Sequence, residues 1–100
     1  MALPPDLEVD RKRLRDVCRR YGIAELLVFG SVARGDATPS SDLDLLYVLA
    51  PGAHLGWEIE QLTDELAELF GRPVDLVSKR ALHRLMRDTV LSEAEQLYAA

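Results

Sequence analysis

Hydrophobic positions along the chain change period several times, and each change marks an element. Leu14, Val17, Cys18 and Tyr21 recur at helical spacing after Pro4 and Pro5, and Gly22 stands where a glycine ends a helix, so a helix is predicted from about Asp6 to Tyr21. Leu26-Leu27-Val28-Phe29 is a continuous apolar run that stops at Gly30-Ser31, the pattern of a strand buried on both faces. Ser31 to Ser41 carries Gly35, Pro39 and small polar residues, which predicts a turn or short helix followed by a loop. Leu43 and Leu45 to Leu49 predict a second strand, ended by Pro51-Gly52. From Leu55 onward, Ile59, Leu62, Leu66, Leu69 and Phe70 hold helical spacing until Gly71 and Pro73. Val74-Asp75-Leu76-Val77 predicts a third short strand, interrupted by a carboxylate. The tail from Leu82 through Met86, Val90 and Ala94 to Leu97 predicts a last helix, broken near Met86.

This order of elements predicts an α/β (α+β) fold with a small β-sheet flanked by helices. A length of 100 residues suits one core, so a single domain over residues 1–100 is expected. A hydrophobic share of 48% and a mean hydropathy of −0.04 fit a globular chain and exclude a disordered one.

Charge narrows the function classes. The net charge is −5 and the isoelectric point about 4.9, which argues against general nucleic-acid binding. Arg11, Lys12, Arg13, Arg15, Arg19 and Arg20 nevertheless crowd one stretch. They fit the solvated face of an amphipathic helix, or a docking strip for an acidic partner or RNA. Cys18 is the only cysteine, so there is no intrachain disulfide and no Cys/His set with zinc-ligand spacing. Met1 to Arg13 lack an apolar signal segment and runs such as Leu45 to Ala50 are too short to span a bilayer, so a reducing cytoplasm is the expected setting.

The chemistry centres on acids. Asp42 and Asp44 stand two apart at the head of a strand, so both carboxylates project from one face. Two like charges about 4 Å apart repel by roughly 4 kcal/mol at an effective dielectric of about 20, unless a cation or proton lies between them. Oxygen ligands without histidine or thiolate point to Mg²⁺ or Mn²⁺ ahead of zinc, and Asp75 on an adjacent strand would complete a two-metal site. An isolated Asp-x-Asp also fits polar capping of a loop-to-strand junction. Gly30-Ser31 adds a bend where backbone N–H groups and a hydroxyl can hold phosphate oxygens, although Gly-Ser alone usually marks a turn.

The combination is more specific. Phe29-Gly30-Ser31-Val32-Ala33-Arg34-Gly35 followed by Ser41-Asp42-Leu43-Asp44-Leu45 resembles the minimal nucleotidyltransferases of the DNA polymerase beta superfamily. The likeness extends to Val74-Asp75-Leu76-Val77 and to Glu93-Ala94-Glu95-Gln96-Leu97-Tyr98. It implies a polymerase beta-like nucleotidyltransferase fold with a mixed sheet, two Mg²⁺ ions held by Asp42, Asp44 and Asp75, and ATP as substrate. Gly30 and Ser31 would cradle the β and γ phosphates, Asp42 and Asp44 would hold the ion that escorts the nucleotide, and Asp75 would favour deprotonation of the attacking hydroxyl. The resemblance gives Arg34 a place steadying the turn or the phosphates; a surface ion pair with Asp36 or Asp42 fits it equally well.

Longer relatives carry a further domain for the acceptor, and this chain ends where that domain would begin, so the acceptor is expected to bind mostly elsewhere. The resemblance implies a HEPN-domain partner, with this chain as the antitoxin that transfers AMP from ATP onto a tyrosine of that toxin. Two alternatives stay open: a catalytically silent module that neutralises its partner by covering it, and a nucleotidyltransferase acting on RNA. Trp57 lies off the main apolar stripe of its predicted helix, and Leu91 and Tyr98 broaden the stripe of the last one, which fits either a broad core-facing side or surface left for a protein. A monomer and an oligomer are both compatible with the pattern. His54 and His83 have no partners at catalytic spacing, and Ser78 and Lys79 suit either the site's border or a strand-to-helix turn.

Overall fold

The computed structural model describes residues 9–35, 41–82 and 84–100. The elements are α1 (Arg11–Arg20), β1 (Ile23–Phe29), α2 (Gly30–Arg34), β2 (Leu43–Leu49), α3 (Ile59–Phe70), β3 (Val74–Ser78), a 3₁₀ turn (Lys79–Ala81), α4 (Arg84–Glu93) and β4 (Glu95–Ala99). Asp10 caps α1 by accepting from the Lys12 and Arg13 backbone N–H groups at 3.0 and 3.2 Å, so the helix begins later than Asp6, and residues 6–8 lie outside the described part. Its six basic side chains are all exposed while Leu14, Val17 and Cys18 are buried, as an amphipathic face requires.

The sheet runs β3-β2-β1-β4, with β1 antiparallel to both β2 and β4 and β2 parallel to β3. It is therefore mixed, as the resemblance implied. Alternation divides β2 between two layers. Leu43, Leu45 and Tyr47 join Leu26, Val28 and Leu97 in a core closed by Leu14, Val17 and Cys18 of α1 and Leu62, Leu66 and Phe70 of α3. Asp44, Leu46 and Val48 point to the other face. There Leu46 is fully buried outside that core, and α4 packs near β1 with Val90 buried.

The tail departs from the predicted helix. Helix α4 runs unbroken through Met86, and the chain then turns into strand β4. Glu95 to Ala99 meet the open edge of β1, where backbone pairing outweighs helix propensity. A register shift opposite Leu26 and Leu27 turns Leu97 and its neighbour Tyr98 both toward the core. Strand β1 also starts at Ile23, ahead of the apolar run, because Glu25 on the second face is held by Gln96 Nε2 at 2.7 Å. Helix α3 begins at Ile59 rather than Leu55, after a turn in which Glu58 accepts from the Gly56 N–H at 2.9 Å. Among the described residues, no helix is long and apolar enough to cross a membrane.

Glu65 of α3 ties the two core helices together, pairing with Arg20 at 2.6 Å and accepting from the Tyr21 hydroxyl. The Tyr21 hydrogen bond, with Arg20 beside it, holds the Glu65 carboxyl below its ordinary range. This contribution to stability is present above the unfolded value, about pH 4, and is lost as pH falls through the depressed folded value. Glu65→Gln should therefore melt below wild type at pH 7, with the gap closing as the pH drops below about 4 in thermal scans.

Candidate active site

Strand β1 ends in extended Phe29, and the chain turns sharply into the five-residue α2 at Gly30, whose φ is +75°. This left-handed backbone is open to glycine and strained for other residues. A second constraint acts at the same atom: a methyl group on Gly30 would collide with Oδ2 of Asp44. The bend is thus packed directly against the acid of the neighbouring strand. Ser31, half-buried, is the next residue of the bend.

The register brings the acids together. Asp44 lies opposite Phe29 on β1 and opposite Asp75 on β3. Cross-strand partners share a face, so Asp44 and Asp75 project from the same side, away from the α1/α3 core. Asp42 stands two residues earlier, just ahead of β2, where Leu43 is anchored by its N–H to the Pro73 carbonyl at 2.8 Å. Asp44 is half-buried; Asp42 and Asp75 are exposed.

The Asp44 carboxyl titrates above its ordinary range, first because burial disfavours its charge and then because Asp75 and Asp42 repel it; Arg34 pulls weakly the other way. Among the described residues, no three His, Cys, Asp or Glu side chains form a ready-made metal cage. The donor set nonetheless suits a hard divalent ion, being all carboxylate with an excess of negative charge that such an ion would offset. Cys18, the one thiol, is buried in α1 with its pKa pushed up to about 12, and belongs to the core.

Arg34 reaches Glu93 at the end of α4, at 3.3 Å, rather than resting on the acids alone. Asp36, one of the partners considered for it, lies outside the described residues. Glu93 falls in the stretch that carries the resemblance, but its pairing with Arg34 was not foreseen, since nothing local to it signals a contact with α2. Ser78 and Lys79 leave the end of β3 remote from Asp75, and Lys79 faces Glu25 at 3.8 Å. His54 is an exposed loop residue; His83 lies outside the described part.

A family model for the nucleotidyltransferase domain matches residues 11–97, from the start of α1 into β4. The chain belongs to that family. This nucleotidyltransferase is 40% identical over 87 residues to protein adenylyltransferase MntA of Thermococcus cleftensis, a match covering 87% of this chain and 84% of the relative. A solved minimal nucleotidyltransferase shares 42% identity with it at a TM-score of 0.71, over 87% of this chain and 88% of the other. A chain of the Shewanella oneidensis complex between a tri-AMPylated HEPN toxin and an MNT antitoxin superposes with a TM-score of 0.63 at 20% identity, over 90% of this chain and 70% of that one. This last likeness is one of fold.

Proposed function

We propose that this nucleotidyltransferase transfers AMP from ATP to a tyrosine hydroxyl of a HEPN-domain protein in the cytoplasm and acts as its antitoxin, the whole activity residing in one domain. The observation that carries the reading is the register of Asp44 against Asp75, with Gly30 packed on Asp44 from the other side. The adenylyltransferase name of the Thermococcus relative and the AMP-bearing toxin of the Shewanella complex support AMP as the group transferred and a HEPN protein as acceptor.

Asp42, Asp44 and Asp75 would hold Mg²⁺, which supplies charge neutralisation at the α-phosphoryl group and at the leaving pyrophosphate. The chain's own residues do the rest. Gly30 and Ser31 seat the β and γ phosphates, fixing the direction in which pyrophosphate departs. Asp75, exposed on the edge strand, meets the incoming hydroxyl and favours loss of its proton. The tyrosine oxygen bonds to the α-phosphorus as the bond to the bridging oxygen breaks, leaving a tyrosyl-AMP ester and pyrophosphate. Arg34, tied to Glu93, steadies the bend on which the phosphates rest.

The test is incorporation of label from α-labelled ATP into the HEPN-domain protein of the same organism, with mass spectrometry to locate it. Label on a tyrosine is expected with Mg²⁺, and none with a chelator or with Asp42→Asn plus Asp44→Asn. A complex that forms without label transfer would favour the silent binding module, and label on RNA instead would favour the RNA acceptor.

A further inference from the structure

A second concavity lies away from the acids. It is a cleft of about 600 Å³ at the opposite end of the strands, where the end of β2, the loop after it, the 3₁₀ turn and α4 meet. Val48 lies in its wall, on the same face as Asp44 and four residues along the strand, so the cleft begins ~13 Å from the acids. Leu46 between them is fully buried, so an acceptor that touches both passes along the β3 edge, where Asp75 is exposed.

Its charge is opposite to that of the chain. Lys79, Arg80 and Arg87 line it against one carboxylate, Glu25, a surplus of two positive charges in a chain of net charge −5. Glu25 is already engaged by Lys79 and Gln96, and among the described residues no ion pair is formed by Arg80 or Arg87, both exposed. Among the described residues, the two large apolar side chains left exposed, Trp57 and Met86, are sequence neighbours of residues that line this cleft. Trp57, 85% exposed, is two residues from the lining Leu55, and Met86, 57% exposed, adjoins Arg87. Arginine with tryptophan and methionine is the composition of a protein-binding surface, whereas nucleic-acid binding by so acidic a chain would need a broader basic field.

We propose that this cleft docks the acceptor protein: an acidic segment of the acceptor enters between Lys79, Arg80 and Arg87, and an adjoining apolar residue covers Trp57. The inference rests on the reading of the chain as a transferase acting on a protein, and it adds where that protein is gripped. Docking ~13 Å from the acids would leave the reacting hydroxyl free to reach Asp75 while fixing the acceptor's direction of approach.

Trp57 is the chain's only tryptophan, so its fluorescence reports on the surface directly. The experiment titrates the HEPN-domain protein of the same organism, prepared with tryptophans replaced by phenylalanine, into wild type, Arg80→Glu/Arg87→Glu, Arg80→Gln/Arg87→Gln and Trp57→Phe. Binding is read from Trp57 emission and by calorimetry, at two salt concentrations, with Mg-ATP affinity measured separately. A blue shift on binding is expected in wild type. The glutamate pair should weaken the complex at least about tenfold and flatten its salt dependence, the glutamine pair and Trp57→Phe should weaken it less, and Mg-ATP affinity should stay unchanged. Complex formation that is unaffected within twofold by the glutamate pair overturns the inference, as does a wild-type complex without change in Trp57 emission, tighter binding of a single-stranded oligonucleotide than of the protein at the same residues, or the absence of any complex. If the variants weaken a complex in which no AMP is transferred, the docking surface stands and the transferase reading falls. If AMP is transferred and the variants bind as wild type does, the reverse holds.

Discussion

Asp44→Asn is expected to slow nucleotidyl transfer by about 10³-fold or more and, in the same molecule, to raise the melting temperature of the metal-free chain. The two effects share one cause. The Asp44 carboxylate is held part-buried beside Asp75 and Asp42, and burial and repulsion outweigh the pull of Arg34. A carboxyl whose folded pKa is raised adds stability only at low pH, and that stability is lost as pH rises through the folded value. At neutral pH its charge is therefore a burden on the fold, and the neutral amide of nearly equal shape removes it. Mg²⁺ should act in the opposite sense on the two proteins, raising the wild-type midpoint by binding the native state while leaving the variant nearly unmoved. Scanning calorimetry with and without chelator, beside a single-turnover assay, checks all of this. A variant that melts below wild type without metal would show that Asp44 is a structural acid.

Gly30→Ala should combine a stability loss of about 1–3 kcal/mol with a fall in transfer of about 10²-fold. Part of that cost is the left-handed φ of +75°, and part is the collision with Asp44 Oδ2. Gly35→Ala separates the parts. Its φ is +81°, yet an added methyl there meets nothing within 4 Å among the described residues. That variant should lose about 1 kcal/mol of stability with transfer intact. Denaturant melts and transfer rates for the pair give the comparison, and equal activity in the two variants would mean that the Gly30 bend does not set the position of Asp44.

The sequence was most informative where one local pattern had one physical outcome. Leu43 to Leu49 is a short apolar run bounded by turn residues, and Ile59 to Phe70 keeps one apolar stripe, so β2 and the body of α3 are where the pattern placed them, although α3 starts four residues later than Leu55. The acids Asp42 and Asp44 were legible for the same reason, while the arrival of Asp75 beside Asp44 depended on a parallel pairing that spacing alone does not determine. Strand β4 was misread because Val90, Ala94 and Leu97 keep helical spacing, and only the vacant edge of β1, most of a chain length away, converts the last of them into a strand residue. Glu93 beside Arg34 and the cleft below α4 are likewise products of long-range packing. Of the basic side chains that line that cleft, Lys79 had been weighed as a border of the acid site or part of a turn, and Arg80 and Arg87 had not been singled out.

The order β3-β2-β1-β4 has a consequence for synthesis. Strand β1 leaves the ribosome well ahead of Glu95–Ala99, the neighbour that completes it, so one edge of the central strand stays unpaired while the residues between them are being made. The finished sheet, and with it the seat of Asp44 on the far side of β1, therefore exists only after residue 99 has cleared the exit tunnel. Until then, nascent chains should expose an apolar β1 edge and depend on chaperones to keep it from other strands.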